Sequence, residues 1–68
     1  MGLKFSGKKV KALIRNRGLK AEHVARQIGV TPSYLSIIFG GKRPSIKVIE
    51  DLSLVLGCDV GEFFLDIE

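Results

Sequence analysis

Midway along the chain stands the string Gly29-Val30-Thr31-Pro32, and it fixes what the centre of the molecule can be. Glycine accepts the positive φ of a tight turn, and threonine followed by proline satisfies the orphan amides of a new helix without needing an N–H from the proline. One helix must therefore end and another begin within three residues, Val30 plugging the turn between them. Upstream, Val24, Ala25 and Ile28 recur at helical spacing over about residues 21–28. Downstream, Leu35, Ile38 and Phe39 share one side of a helix reaching Phe39, while Ser33, Ser36, Ile37 and Gly40 share the other. The inner set packs and the outer set is left free.

The flanks read the same way. Val10, Leu13 and Ile14 line one face of a helix over about residues 7–17, stopped at Gly18, with lysines and arginines on its back. Gly40 and Gly41 end the central helix, and Ser45 caps a helix over about residues 46–56 that stops at Gly57. Asp59 is then expected to cap a short last helix bearing Val60, Phe63 and Phe64. No strand-like alternation is apparent. The expectation is an all-α, compact five-helix domain, 1–68, with its core in about residues 7–65 and a helix-turn-helix at about 21–39.

A chain of 68 residues leaves little room for a catalytic cleft. His23 has no nucleophile or orienting acid at motif spacing, and with the single Cys58 it cannot build a metal cluster. Cys58 reads as a small buried hydrophobe suited to a reducing compartment. No enzyme activity, cofactor, metal or small-molecule ligand is expected. Neither a spanning helix nor a signal-peptide core is visible, so no membrane is expected and the cytoplasm is the expected location. Met1-Gly2-Leu3-Lys4-Phe5-Ser6 fits a loose myristoylation pattern that recurs by chance, and Gly40-Gly41-Lys42 lacks Walker spacing.

Charge is unevenly placed. Residues 1–47 hold all 11 basic side chains against Glu22 alone, whereas 48–68 hold the remaining acids and no base. Such a surface suits a polyanion, though charge alone fits a solvated basic face equally well. The helical pair likewise suits a groove about 12 Å wide and equally an inert hairpin.

The ordered set Gly18-Leu19, Val24-Ala25, Ile28-Gly29-Val30-Thr31, Ser33-Tyr34-Leu35-Ser36, Ile38, Gly41-Lys42-Arg43-Pro44-Ser45 and Leu56-Gly57 resembles the lambdoid phage repressor and Cro family of helix-turn-helix regulators, the xenobiotic-response-element (XRE) family. The resemblance implies a lambda-repressor-like fold, double-stranded operator DNA as partner, and a homodimer. It places Pro32, Ser33, Ser36 and Ile37 at the bases, and Lys20, Thr31, Tyr34, Gly40, Lys42, Arg43, Ser45 and Lys47 at the backbone. The C-terminal cluster Phe63, Phe64, Leu65 and Ile67 is expected to supply a dimer interface.

Three departures from the family stand out. Where the family often has a phosphate-gripping Gln stands Ala21, and where it has a long polar base reader stands Ile37, able to meet a thymine methyl but not to hydrogen-bond. Ile14 and Phe39 occupy the places of a buried Arg–Glu pair, a double replacement that is tolerated when both members are apolar. Those two side chains are expected to pack together. The resemblance implies a transcriptional regulator, in the first place a repressor. An alternative is a protein-interaction module, an antitoxin, anti-repressor or adaptor, using Ile37 and the C-terminal aromatics as contact surface.

Overall fold

A computed structural model describes the backbone of residues 2–67 and the side chains of residues 2–66. The expected breaks become helix boundaries: α1 is Gly7–Asn16, α2 Ala21–Ile28, α3 Pro32–Phe39 and α4 Ile46–Leu56. Three of the four begin at a hydroxyl residue whose oxygen accepts an amide three residues on. Ser6 takes Lys9 N at 3.3 Å, Thr31 takes Tyr34 N at 3.1 Å and Ser45 takes Val48 N at 3.4 Å. Only α2 starts without such a cap, after Lys20 in extended conformation.

The apolar stripes meet in one core. Val10 and Ile14 of α1, Val24 and Ala25 of α2, Leu35 and Ile38 of α3, and Ile49, Leu52 and Leu56 of α4 are all buried. Each full burial of an aliphatic side chain is worth about 1.5 to 3 kcal/mol against exposure, so the core holds the helices more firmly than their own propensities do. Arg17 adds a polar tie, its Nε donating to the Leu56 carbonyl at the end of α4.

The five-helix, purely helical expectation is corrected at the ends of the chain. There are four α-helices among the described residues, and the segment after Asp59 makes a single 3-10 turn, Val60–Phe63. Asp59 gives that turn no side-chain cap bond. The chain then extends as β2, Phe64–Ile67, antiparallel to β1, Gly2–Phe5, in the register Gly2↔Ile67 to Phe5↔Phe64. Ser6 N continues the ladder by donating to Phe63 O at 2.8 Å. Gly61 is poorly suited to helix, and Phe64 finds a partner in Phe5, their rings meeting edge to face at 5.8 Å and 80°. Directly opposite residues of an antiparallel pair share a face, so this contact fixes which side of the ribbon lies on the core.

Gly7 joins the ribbon to the helices. A Cβ there would press on the carbonyl oxygens of Ile38 and Phe39, with the Phe39 carbonyl carbon at 2.7 Å. The start of α1 thus rests directly on the C-terminal backbone of α3, an approach only glycine permits.

Candidate nucleic-acid interface

The turn before α3 is as tight as its sequence demands. Gly29 takes φ 76°, Val30 N donates to Ala25 O at 2.9 Å, and Val30 packs half-buried on the core. With Thr31 capping and Pro32 at the first position, α3 is held by Leu35 and Ile38, both at 0% exposure. Its opposite face carries Ser33, Ser36, Ile37 and then Gly40, all exposed, and Ile37 stands half out of the surface at 50%. Pro32 and Thr31 are exposed beside them, whereas Tyr34 is half-buried against the core. The structure therefore gathers the expected base-reading residues onto one free ridge.

The segment after α3 is equally well defined. Gly41 N donates to Ile38 O at 3.0 Å and Lys42 N to Ile37 O at 3.3 Å, Pro44 is buried, and Ser45 caps α4. Lys20, Lys42, Arg43, Ser45 and Lys47 are all exposed. Two of them already have neighbours: Lys47 pairs with Asp51 at 3.1 Å one turn along α4, and the Arg43 guanidinium lies 5.4 Å from the Phe64 ring centroid. Arg43 is thereby steered by the ribbon, whose existence its sequence neighbourhood does not announce.

Three apolar residues, one each from α1, α2 and α3, line a single recess. Ile14, Ala21 and Phe39, together with Leu19, floor a hollow of about 230 Å³ whose rim carries Lys11 and Arg15. Ile14 is buried and Phe39 half-buried, with Lys11 Nζ 6.0 Å from the Phe39 ring centroid. Sequence reasoning leaves Lys8, Lys11 and Arg15 in the basic back of a helix and Lys4 among the general basic residues before it. Their one available signal is the i, i+3, i+7 spacing of Lys8, Lys11 and Arg15 on α1.

The proposed dimer residues divide. Phe63 is a core side chain at 0% exposure and has no surface to offer, so its place in a dimer interface is withdrawn. Phe64 is half-buried against the core, Leu65 is 47% exposed, and the Ile67 side chain lies outside the described residues. His23 is exposed. Cys58 is half-buried, and burial pushes its thiol above the ordinary range against the opposing pull of Arg17. Among the described residues no cluster of potential metal ligands occurs, and no helix is long and apolar enough to cross a membrane.

A helix-turn-helix family model matches residues 10–63, which spans all four helices and the 3-10 turn. The chain belongs to the XRE-type helix-turn-helix family of DNA-binding regulators. Among solved structures it is similar to the N-terminal DNA-binding domain of the master biofilm regulator SinR from Bacillus subtilis, with 32% identity, a TM-score of 0.73 and 93% of each chain covered. No curated protein sequence matches. In this XRE-type chain Ile14, Ala21 and Phe39 give one recess an apolar lining, and Ile37 is an exposed aliphatic on the free face of α3.

Proposed function

We propose that this XRE-type domain is a non-enzymatic transcriptional repressor that binds a pseudo-palindromic operator as a homodimer in the cytoplasm. The observation that carries the proposal is the two-sided construction of α3. Leu35 and Ile38 anchor it completely, while Ser33, Ser36 and Ile37 stand free and Lys20, Lys42 and Arg43 of the flanking segments are exposed. A rigid helix with a small outer face and a positive rim is what entry into a major groove requires.

Pro32, Ser33, Ser36 and Ile37 then meet base edges, Ile37 through thymine methyls. Lys20, Thr31, Tyr34, Gly40, Lys42, Arg43, Ser45 and Lys47 meet the sugar-phosphate backbone and set the register. With two serines and an isoleucine as readers, affinity comes chiefly from the rim and discrimination is modest. The half-exposed Leu65 and its ribbon supply the surface for the second copy, joined by Phe64 and Ile67.

Selection of bound sequences from random duplex DNA tests this, run with the wild type beside Ile37→Ala and Arg43→Ala. The expected outcome is a T-containing, two-fold site, loss of the T preference in Ile37→Ala, and uniform weakening in Arg43→Ala. Because Ile37 is half exposed, it also suits a protein partner. No enrichment at any salt concentration decides for that second reading.

A further inference from the structure

We propose that Lys4, Lys8, Lys11 and Arg15 form a second phosphate-binding strip, gripping the duplex beside the C-terminal end of α3 and outside the helix-turn-helix. The strip rests on the DNA-binding reading above and adds to it a contact surface on a different helix. Lys8, Lys11 and Arg15 lie at i, i+3 and i+7 of α1, one ridge about 10 Å long at 1.5 Å per residue. That length matches the axial span of about three phosphates along one DNA strand.

The ridge is tied to α3 by the walls it shares with it. Lys4 and Lys8 line a recess of about 240 Å³ whose other walls include Phe39, Gly40 and Gly41. Lys11 and Arg15 line the recess of about 230 Å³ that also has Phe39 as a wall. Phe39, the last residue of α3, thus separates two hollows with a pair of cations on each. The terminal ribbon is what brings Lys4 into this line, since β1 runs into α1 through Ser6.

The cations of this region fall into two kinds. Lys9 Nζ donates to Phe64 O at 3.2 Å and Arg17 Nε to Leu56 O, so both are bound into the fold. Lys4, Lys8, Lys11 and Arg15 are exposed and bond to no acid, the only ion pair among the described residues being Lys47 with Asp51. Like charges lined up with no counter-charge oppose one another in the free protein, and a polyanion with regularly spaced phosphates relieves that. A compact anion would engage one hollow and leave the other pair unanswered.

The test measures affinity of the full chain for a fluorescent duplex across about 50 to 200 mM salt, a range over which phosphate contacts dominate the response. Lys4→Ala, Lys8→Ala, Lys11→Ala and Arg15→Ala are compared with Lys42→Ala on the rim. Arg26→Ala is the control for net charge, since Arg26 is exposed on α2 and lines neither of the two recesses beside Phe39. At least three of the four strip variants are expected to lower the log-log salt slope by about 0.9 each, as Lys42→Ala does, while Arg26→Ala leaves it nearly unchanged. Thermal unfolding of each variant should show no loss of stability, because among the described residues no strip side chain makes a hydrogen bond or an ion pair. If the strip variants change the slope no more than Arg26→Ala while Lys42→Ala lowers it, the strip is overturned and DNA binding stands. If the wild type shows no salt-dependent binding, the DNA reading itself falls, and the strip with it.

Discussion

The helix-turn-helix and the terminal ribbon are built on opposite terms. Between Ala21 and Phe39 every element is set by residues within four positions of one another: a cap, a proline, a glycine, a 3.6-residue stripe. The ribbon instead pairs Gly2–Phe5 with Phe64–Ile67, partners separated by nearly the whole chain. Yet the two are not independent, because Gly7 seats the ribbon's exit on the carbonyls that end α3, and Phe63 fills the core beneath the helices. Helix α3 is therefore locally specified and remotely braced. Loss of the brace should cost more stability than any change on the reading face.

The largest effect is expected from Phe63→Ala. Emptying a fully buried aromatic site costs about 3 to 5 kcal/mol, a large part of what a domain of this size holds, and urea denaturation should show a midpoint collapsing toward zero. Next comes Gly7→Ala, which forces α1 off the end of α3. A cost of about 3 kcal/mol is expected, read as a melting temperature lower by about 12 to 24 °C in a domain of this length. If Gly7→Ala melts normally, the ribbon and α3 are not coupled through that contact.

Smaller effects belong to the helix-turn-helix itself. Thr31→Ala removes the α3 cap and should cost about 1 kcal/mol by the same denaturation, with Thr31→Ser restoring most of it. Ile37→Ala trims a half-exposed side chain outside the core and should shift stability by less than about 1 kcal/mol, while changing the bases preferred in binding-site selection. A strong loss of stability there would show that Ile37 packs on something within the fold.

What the sequence makes legible follows the same division. The four helices, their caps at Thr31 and Ser45, and the split of α3 into an inner set and an outer set can all be read from the order of residues alone, since each signal is local. Of the site, the ridge of Ser33, Ser36 and Ile37 and the exposed Lys20, Lys42 and Arg43 are equally visible. The ribbon is not. A four-residue strand contains too few alternations to declare itself, and Phe64, which follows Phe63, reads as a helix face until Phe5 is placed opposite it.

Two consequences of the ribbon are hidden with it. Phe63 looks available for a dimer because nothing nearby in sequence says it is core. The α1 cations look alike because only tertiary structure shows Lys9 and Arg17 donating to Phe64 and Leu56 while Lys8, Lys11 and Arg15 stay free. Carbonyls that lie far along the chain decide which of these cations are bound into the fold.

The central claim is that the free face of α3 with its positive surround binds duplex DNA. Titration of the isotopically labelled protein with a short duplex, followed through backbone amide resonances, addresses it directly. The account predicts the largest shifts from Thr31 to Arg43 and at the start of α4, with smaller ones at Lys8, Lys11 and Arg15, all reversed by added salt. Shifts confined to the acidic side around Leu54 to Glu62, or none at any salt concentration, would contradict it.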